Sequence, residues 1–85
     1  MKSIPPEMFQ AIFSREDVFL TENNQWSVCG YVYFEQKIHS FYINRKGQYD
    51  ELEWSRSIDE ALEMKRFTKG VRPWIRRIKK REEGK

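Results

Sequence analysis

The side chains with the clearest chemical use in this sequence are cations. RPWIRRIKKR, residues 72 to 81, packs six basic and three large apolar residues into ten positions. Guanidinium and ammonium groups neutralise phosphates, and each phosphate neutralised releases condensed counterions. The candidate nucleic-acid contacts are Lys69, Arg72, Arg76, Arg77, Lys79, Lys80 and Arg81, with Lys65 and Arg66 extending the field. Base readout needs particular side chains inside a groove, and no residue type here singles them out. A second set, Tyr31, Tyr33, Tyr42 and Tyr49, offers rings that could stack on unpaired bases or dock a protein partner.

Other chemistries are poorly served. The only histidine, His39, precedes Ser40. Adjacent strand residues point to opposite faces, which disfavours that pair as base and nucleophile. An exposed or hydrogen-bonded strand histidine is the simpler reading. Asp50, Glu51, Glu53, Asp59, Glu60 and Glu63 supply carboxylates, without the spaced lysine or histidine of a nuclease site. A solvated strand edge and a helix N-terminus account for them. One cysteine and one histidine cannot complete a tetrahedral zinc site within the chain. Four widely spaced glycines make no phosphate loop. The expectation is a non-enzymatic protein with no catalytic residue, metal or cofactor.

Eighty-five residues make a single domain, 1–85, with room for one core. The 15% aromatic content supplies burial, and 34% charged residues supply a wet skin. Residues 1–64 carry 6 Lys/Arg against 11 Asp/Glu, a net of −5, while residues 65–85 carry 10 against 2, a net of +8. Such asymmetry points to a polyanion or an acidic protein surface as partner. It is equally consistent with the basic segment neutralising the acidic remainder of its own fold. Cys29 cannot form an internal disulfide and reads as a small buried hydrophobe. No apolar run approaches the roughly 20 residues of a membrane span, and MKSIPPEMF lacks a signal-peptide core. A soluble, cytoplasmic protein with no membrane partner is expected.

The elements that must position the cations follow from periodicity. Pro6 suits the first position of a helix over about 6–14, with Met8, Phe9, Ile12 and Phe13 as its stripe. DVFLT (17–21) and WSVCGYVYFE (26–35) read as strands joined at Asn23-Asn24, residues that tolerate positive φ. The second strand puts Trp26, Val28, Val32 and Phe34 on one face and Cys29, Tyr31 and Tyr33 on the other. A helix is expected on one of these faces and a tyrosine-rich surface on the other. IHSFYIN (38–44), a turn at RKG with Gly47 left-handed, and QYDELEW (48–54) complete a meander. In the last strand Asp50, Leu52 and Trp54 alternate with Tyr49, Glu51 and Glu53. Ser57 and Glu60 form a capping box for a short helix, and Gly70 reads as its terminator. Val71, Trp74, Ile75 and Ile78 fall at i, i+3, i+4 and i+7, so the basic segment is a helix over about 72–82. Its cations lead and Glu82 and Glu83 trail, against the macrodipole, so it depends on docking that stripe.

The stretch YDELEWSRSIDEALEMKRF resembles a pattern in small open reading frames of phages and prophages of Gram-positive bacteria. In that pattern a hairpin precedes a terminal amphipathic helix. Tyr49, Leu52, Trp54, Ser55, Ile58, Ala61 and Phe67 carry the resemblance, within residues 41–80. It implies a phage-type accessory protein without enzymatic activity, and it implies no site.

The expected fold is α+β: a four-stranded antiparallel β-meander with an N-terminal helix and two C-terminal helices packed on one face. Core candidates are Phe9, Ile12, Phe13, Val28, Val32, Phe34, Phe41, Ile43, Leu52, Trp54, Ile58, Ala61, Leu62, Phe67, Trp74, Ile75 and Ile78. The expected function is nucleic-acid or other polyanion binding through the basic C-terminal helix. The alternative is an interaction module modulating a host protein through the tyrosine face or the edge strand 48–54.

Overall fold

Pro5, extended at φ −60° and ψ 149°, and Pro6 in the first turn set the start of helix α1, Pro6–Phe13. The computed structural model describes residues 3–67 and 69–85. After α1 come β1 (Val18–Asn23), β2 (Ser27–Phe34), β3 (Lys37–Asn44), β4 (Tyr49–Arg56), α2 (Ile58–Glu63) and α3 (Val71–Glu83). The strands form one antiparallel sheet in the order β1-β2-β3-β4. The fold is therefore the α+β meander expected.

Helices pack on both faces of the sheet. Helix α1 buries Met8 and Ile12, with Ile4 before them, against Val28, Val32, Phe41 and Ile43. On the opposite face α2 and α3 bury Ala61, Val71, Trp74, Ile75 and Ile78 against Ile38, with Tyr31, Tyr33, Trp54 and Phe67 packed around them. The tyrosine side of β2 is thus a second core rather than an open surface. Each large apolar side chain buried this way contributes roughly 1.5–3 kcal/mol.

Two bulges distribute the apolar residues between these cores. Ser40 faces Trp54 and Phe41 faces Leu52, which leaves Glu53 as an extra residue in β4. Residues two apart on a regular strand share a face. The bulge instead sends Leu52 to the α1 core and Trp54 to the α3 core. Simple alternation through QYDELEW, which groups Leu52 with Trp54, misses this. A matching irregularity between Leu20 and Glu22 lets Leu20 join the first core while Glu22 lies opposite Cys29. Gly30 is obligatory at that crossing, because a Cβ there would lie 2.1 Å from the Phe19 carbonyl oxygen.

The turns use residues that composition does not advertise. Asn24 closes the first hairpin without positive φ: its Oδ1 accepts the Trp26 and Ser27 N–H groups at 2.8 and 2.9 Å. Glu35 and Gln36 carry φ of 51° and 66°, as a two-residue primed turn requires. In the third hairpin Gln48 takes the positive φ of 52°, not Gly47. Asn44 Oδ1 accepts the Gly47 N–H at 2.8 Å, which closes the turn one residue earlier. The capping box of α2 is formed, with Ser57 Oγ accepting the Glu60 N–H and Glu60 accepting the Ser57 N–H. Met64, extended at ψ 140°, ends α2; Gly70 lies at the start of α3.

Candidate nucleic-acid interface

Everything about the basic face follows from how α3 is seated. Gly70 precedes the helix at φ 96°, a conformation costly for any residue with a Cβ. A Cβ there would also meet the Phe19 ring at 3.2 Å. Phe19 in turn packs against Trp74, ring centroids 5.9 Å apart. Val71, Trp74, Ile75 and Ile78 are buried, so the rotation of α3 about its axis is fixed and Arg76, Arg77 and Lys80 face outward. At the far end Glu82, unfavourably placed for the macrodipole, is compensated by its neighbours. It accepts from Lys85 Nζ and from the Tyr33 hydroxyl, both at 2.8 Å, and these bonds hold its carboxyl below the usual range.

Seating divides the seven predicted contacts into three groups. Arg76, Arg77 and Lys80 are exposed, and none has an ion-pair partner among the described residues. They lie at i, i+1 and i+4, one outward ridge. Lys69, just before the helix, is also exposed, and Arg72 lays its guanidinium 5.5 Å from the Phe67 ring centre. Lys79 and Arg81 are committed within the fold. Lys79 Nζ meets Asp59 at 2.9 Å, and Arg81 donates two parallel bonds to Asp17 at 2.8 and 2.9 Å. Hydrogen bonding to those carboxylates pushes both cations' pKa values up. Charge balance within the chain and an outward cationic ridge therefore coexist, on different residues of one helix.

The tyrosines divide as well, and the idea of a stacking platform is corrected. Tyr31 packs against Trp54 and Phe67, at 5.7 and 5.5 Å, as part of the second core rather than as an open stacking surface. Burial pushes its hydroxyl pKa up, with Glu53 adding to it. Tyr33 is half-buried beneath the end of α3 and spends its hydroxyl on Glu82. Tyr42 and Tyr49 remain on the uncovered part of the sheet, 6.2 Å apart. Tyr49 donates to Glu51 at 2.5 Å, and the bond raises its pKa. On the neighbouring strands Glu22 accepts from the Ser27 hydroxyl and the Cys29 thiol, and Glu53 accepts from Ser40 at 2.9 Å. A phosphate would be repelled there.

Cys29, half-buried beside Glu22, has its thiol pushed up to about 11, first by burial and then by that carboxylate. His39 is buried and hydrogen-bonded. Its Nε2 lies 2.9 Å from the Phe34 carbonyl and its Nδ1 2.6 Å from Ser55 Oγ. A carbonyl only accepts, so Nε2 carries a proton and donates to Phe34. The serine partner is thus the cross-strand Ser55, not the adjacent Ser40. The pair lines a cavity of about 350 Å³ shared with Glu7, Glu35 and Lys37. Among the described residues no three His, Cys, Asp or Glu side chains are grouped to hold a metal ion. Among those residues, too, no helix is long and apolar enough to cross a membrane.

One core assignment is also corrected. Phe13, assigned to the core, is exposed, as is Trp26. The available signal was Ala11: Ile4, Met8, Ala11 and Ile12 form the buried stripe, which turns Phe13 away. No family model, no curated protein and no solved structure matches this chain.

Proposed function

We propose that this protein is a small, non-enzymatic accessory protein of phage type that binds nucleic acid, or a similar polyanion, through α3. The observation carrying this reading is the division of labour on that helix. Lys79 and Arg81 fasten α3 to Asp59 and Asp17, while Arg76, Arg77 and Lys80 project from the fastened surface. A helix already docked has little backbone freedom left to lose when phosphates arrive, and Lys69 and Arg72 lengthen the ridge. With about three to five phosphates neutralised, log K is expected to fall with log[salt] at a slope of roughly −3 to −4.5. The site contacts backbone and carries no base-reading feature, so preference among sequences is expected to be slight. An electrophoretic shift at about 50 mM salt tests the reading. Binding that weakens with salt supports it, and absence of any shift rejects it.

A second reading, a protein-interaction module acting on a host protein in the cytoplasm, is favoured by the unpaired edge of β4 and the exposed rings of Phe13, Trp26 and Tyr49. A host protein retained on the immobilised chain after nuclease and high salt, and lost when Trp26 is changed to Ala, distinguishes it from the first.

A further inference from the structure

The sequence places Arg56 outside the basic segment, at the end of β4, and the fold brings it back to that segment. Arg56 is exposed, and no carboxylate among the described residues forms an ion pair with it. Its guanidinium lies over the Trp54 ring, 5.7 Å from the ring centre. Glu60 is held below the usual carboxyl range first by accepting the Ser57 N–H, and only then by the charges of Arg56 and Lys37. Its carboxylate belongs to the capping box rather than to Arg56. A ring face attracts a guanidinium through its quadrupole and accepts none of its N–H groups in the way a carboxylate does. Arg56 is therefore positioned by a ring with its donors still available.

The same device recurs at the start of α3. Arg72 lies over Phe67 at 5.5 Å, and the Phe67 and Trp54 ring centroids are 6.3 Å apart. Both rings pack on Tyr31, in the core beneath α3. The contacts Arg56–Trp54–Phe67–Arg72 thus join the end of β4 to the first turn of α3. From Arg72 onward, Arg76 and Lys80 follow at i+4 and i+8, one row covering about 12 Å of the helix. We infer that a polyanion lying on α3 continues onto β4, where Arg56, like Arg72, takes a phosphate of the same phosphodiester chain through two parallel N–H bonds. The inference rests on the reading of α3 as a polyanion-binding helix, and adds to it a contact outside the basic segment. The planar fork of a guanidinium matches two phosphate oxygens at once, which an ammonium does not. A guanidinium already held over a ring also has less rotamer freedom to lose when the phosphate arrives.

Titration of a fluorescent duplex from about 50 to 200 mM salt tests the inference. Arg56→Gln and Arg72→Gln, checked for native circular dichroism, are each expected to flatten the slope of log K against log[salt] by about 0.9, one phosphate apiece. Arg56→Lys and Arg72→Lys keep the charge, so their slopes should match wild type. Their affinities should fall about ten-fold, as the loss of one hydrogen bond to a charged group does. Lys46→Gln removes an equal charge beyond the opposite end of β4 and should change the slope by less than about 0.3. A wild-type slope in Arg56→Gln overturns the inference, and leaves the reading of α3 standing if the duplex is still bound. Full affinity in both lysine variants overturns it too, because the two-bond contact is then absent. So does an equal flattening in Lys46→Gln, which would trace the effect to net charge. A wild-type protein that binds no duplex at any of these salt concentrations removes both.

Discussion

Arg81 and Asp17, 64 residues apart, are joined by two parallel hydrogen bonds that tie the last turns of α3 to the segment entering β1. Asp17 sits at φ 51°, and its carbonyl accepts the Tyr33 N–H at 2.9 Å. One short segment therefore anchors both the edge strand and the basic helix. That arrangement decides which cations remain available to a partner.

Seating of α3 should be sensitive at Gly70. Replacing it with Ala imposes a positive φ on a residue with a Cβ and drives that atom against Phe19. A loss of roughly 1–3 kcal/mol is expected in chemical denaturation. Gly30→Ala should cost more, because the obstacle is β1 backbone rather than a ring that can tilt. Unchanged midpoints in both variants would contradict the packing described.

Capping of α2 gives a pH signature. Hydrogen bonds from Ser57 lower the Glu60 pKa, and bonds from Lys85 and Tyr33 lower that of Glu82. A folded-state pKa below the unfolded value near 4.5 adds stability that is fully present above that value. It is lost as pH falls through the depressed folded values. Thermal midpoints should therefore drop below about pH 4.5, and Glu60→Gln should flatten that acid limb. Ser57→Ala is expected to cost roughly 0.5–2 kcal/mol at neutral pH.

Thiol reactivity reports on the open part of the sheet. With Cys29 at about 11 against an ordinary 9.0, its thiolate at pH 8 is scarcer by about 100-fold. Iodoacetamide should modify the native protein far more slowly than the urea-unfolded chain. Glu22→Gln should speed the native reaction, since that carboxylate holds the thiol protonated. Equal native and unfolded rates would count against this environment.

The meander, the capping box and the basic helix were legible because each rests on a local period or a short-range pair: the 57/60 box, the 71/74/75/78 stripe. What escaped depended on long-range geometry. The Glu53 bulge redirects Leu52 and Trp54 to opposite cores, and alternation alone cannot register it. Tyr31 and Tyr33 looked exposed because nothing within β2 records that α3 returns to cover them. Within the site, Arg76 and Lys79 are alike in sequence, and only the position of Asp59 tells them apart. Phe13 looked buried because a helical stripe can be drawn through residues 9 and 13 as easily as through 8, 11 and 12.

The division of labour on α3 is tested most directly by comparing salt dependence of binding in two sets of variants. In one, Arg76, Arg77 and Lys80 become Gln; in the other, Lys79 and Arg81 do. A fluorescent duplex titrated from about 50 to 200 mM salt gives both affinity and slope. The first set is expected to lose most of its affinity and to flatten the slope by about 3, while the second changes the slope by less than about 1. Equal slopes in wild type and the Arg76/Arg77/Lys80 variant would contradict the account.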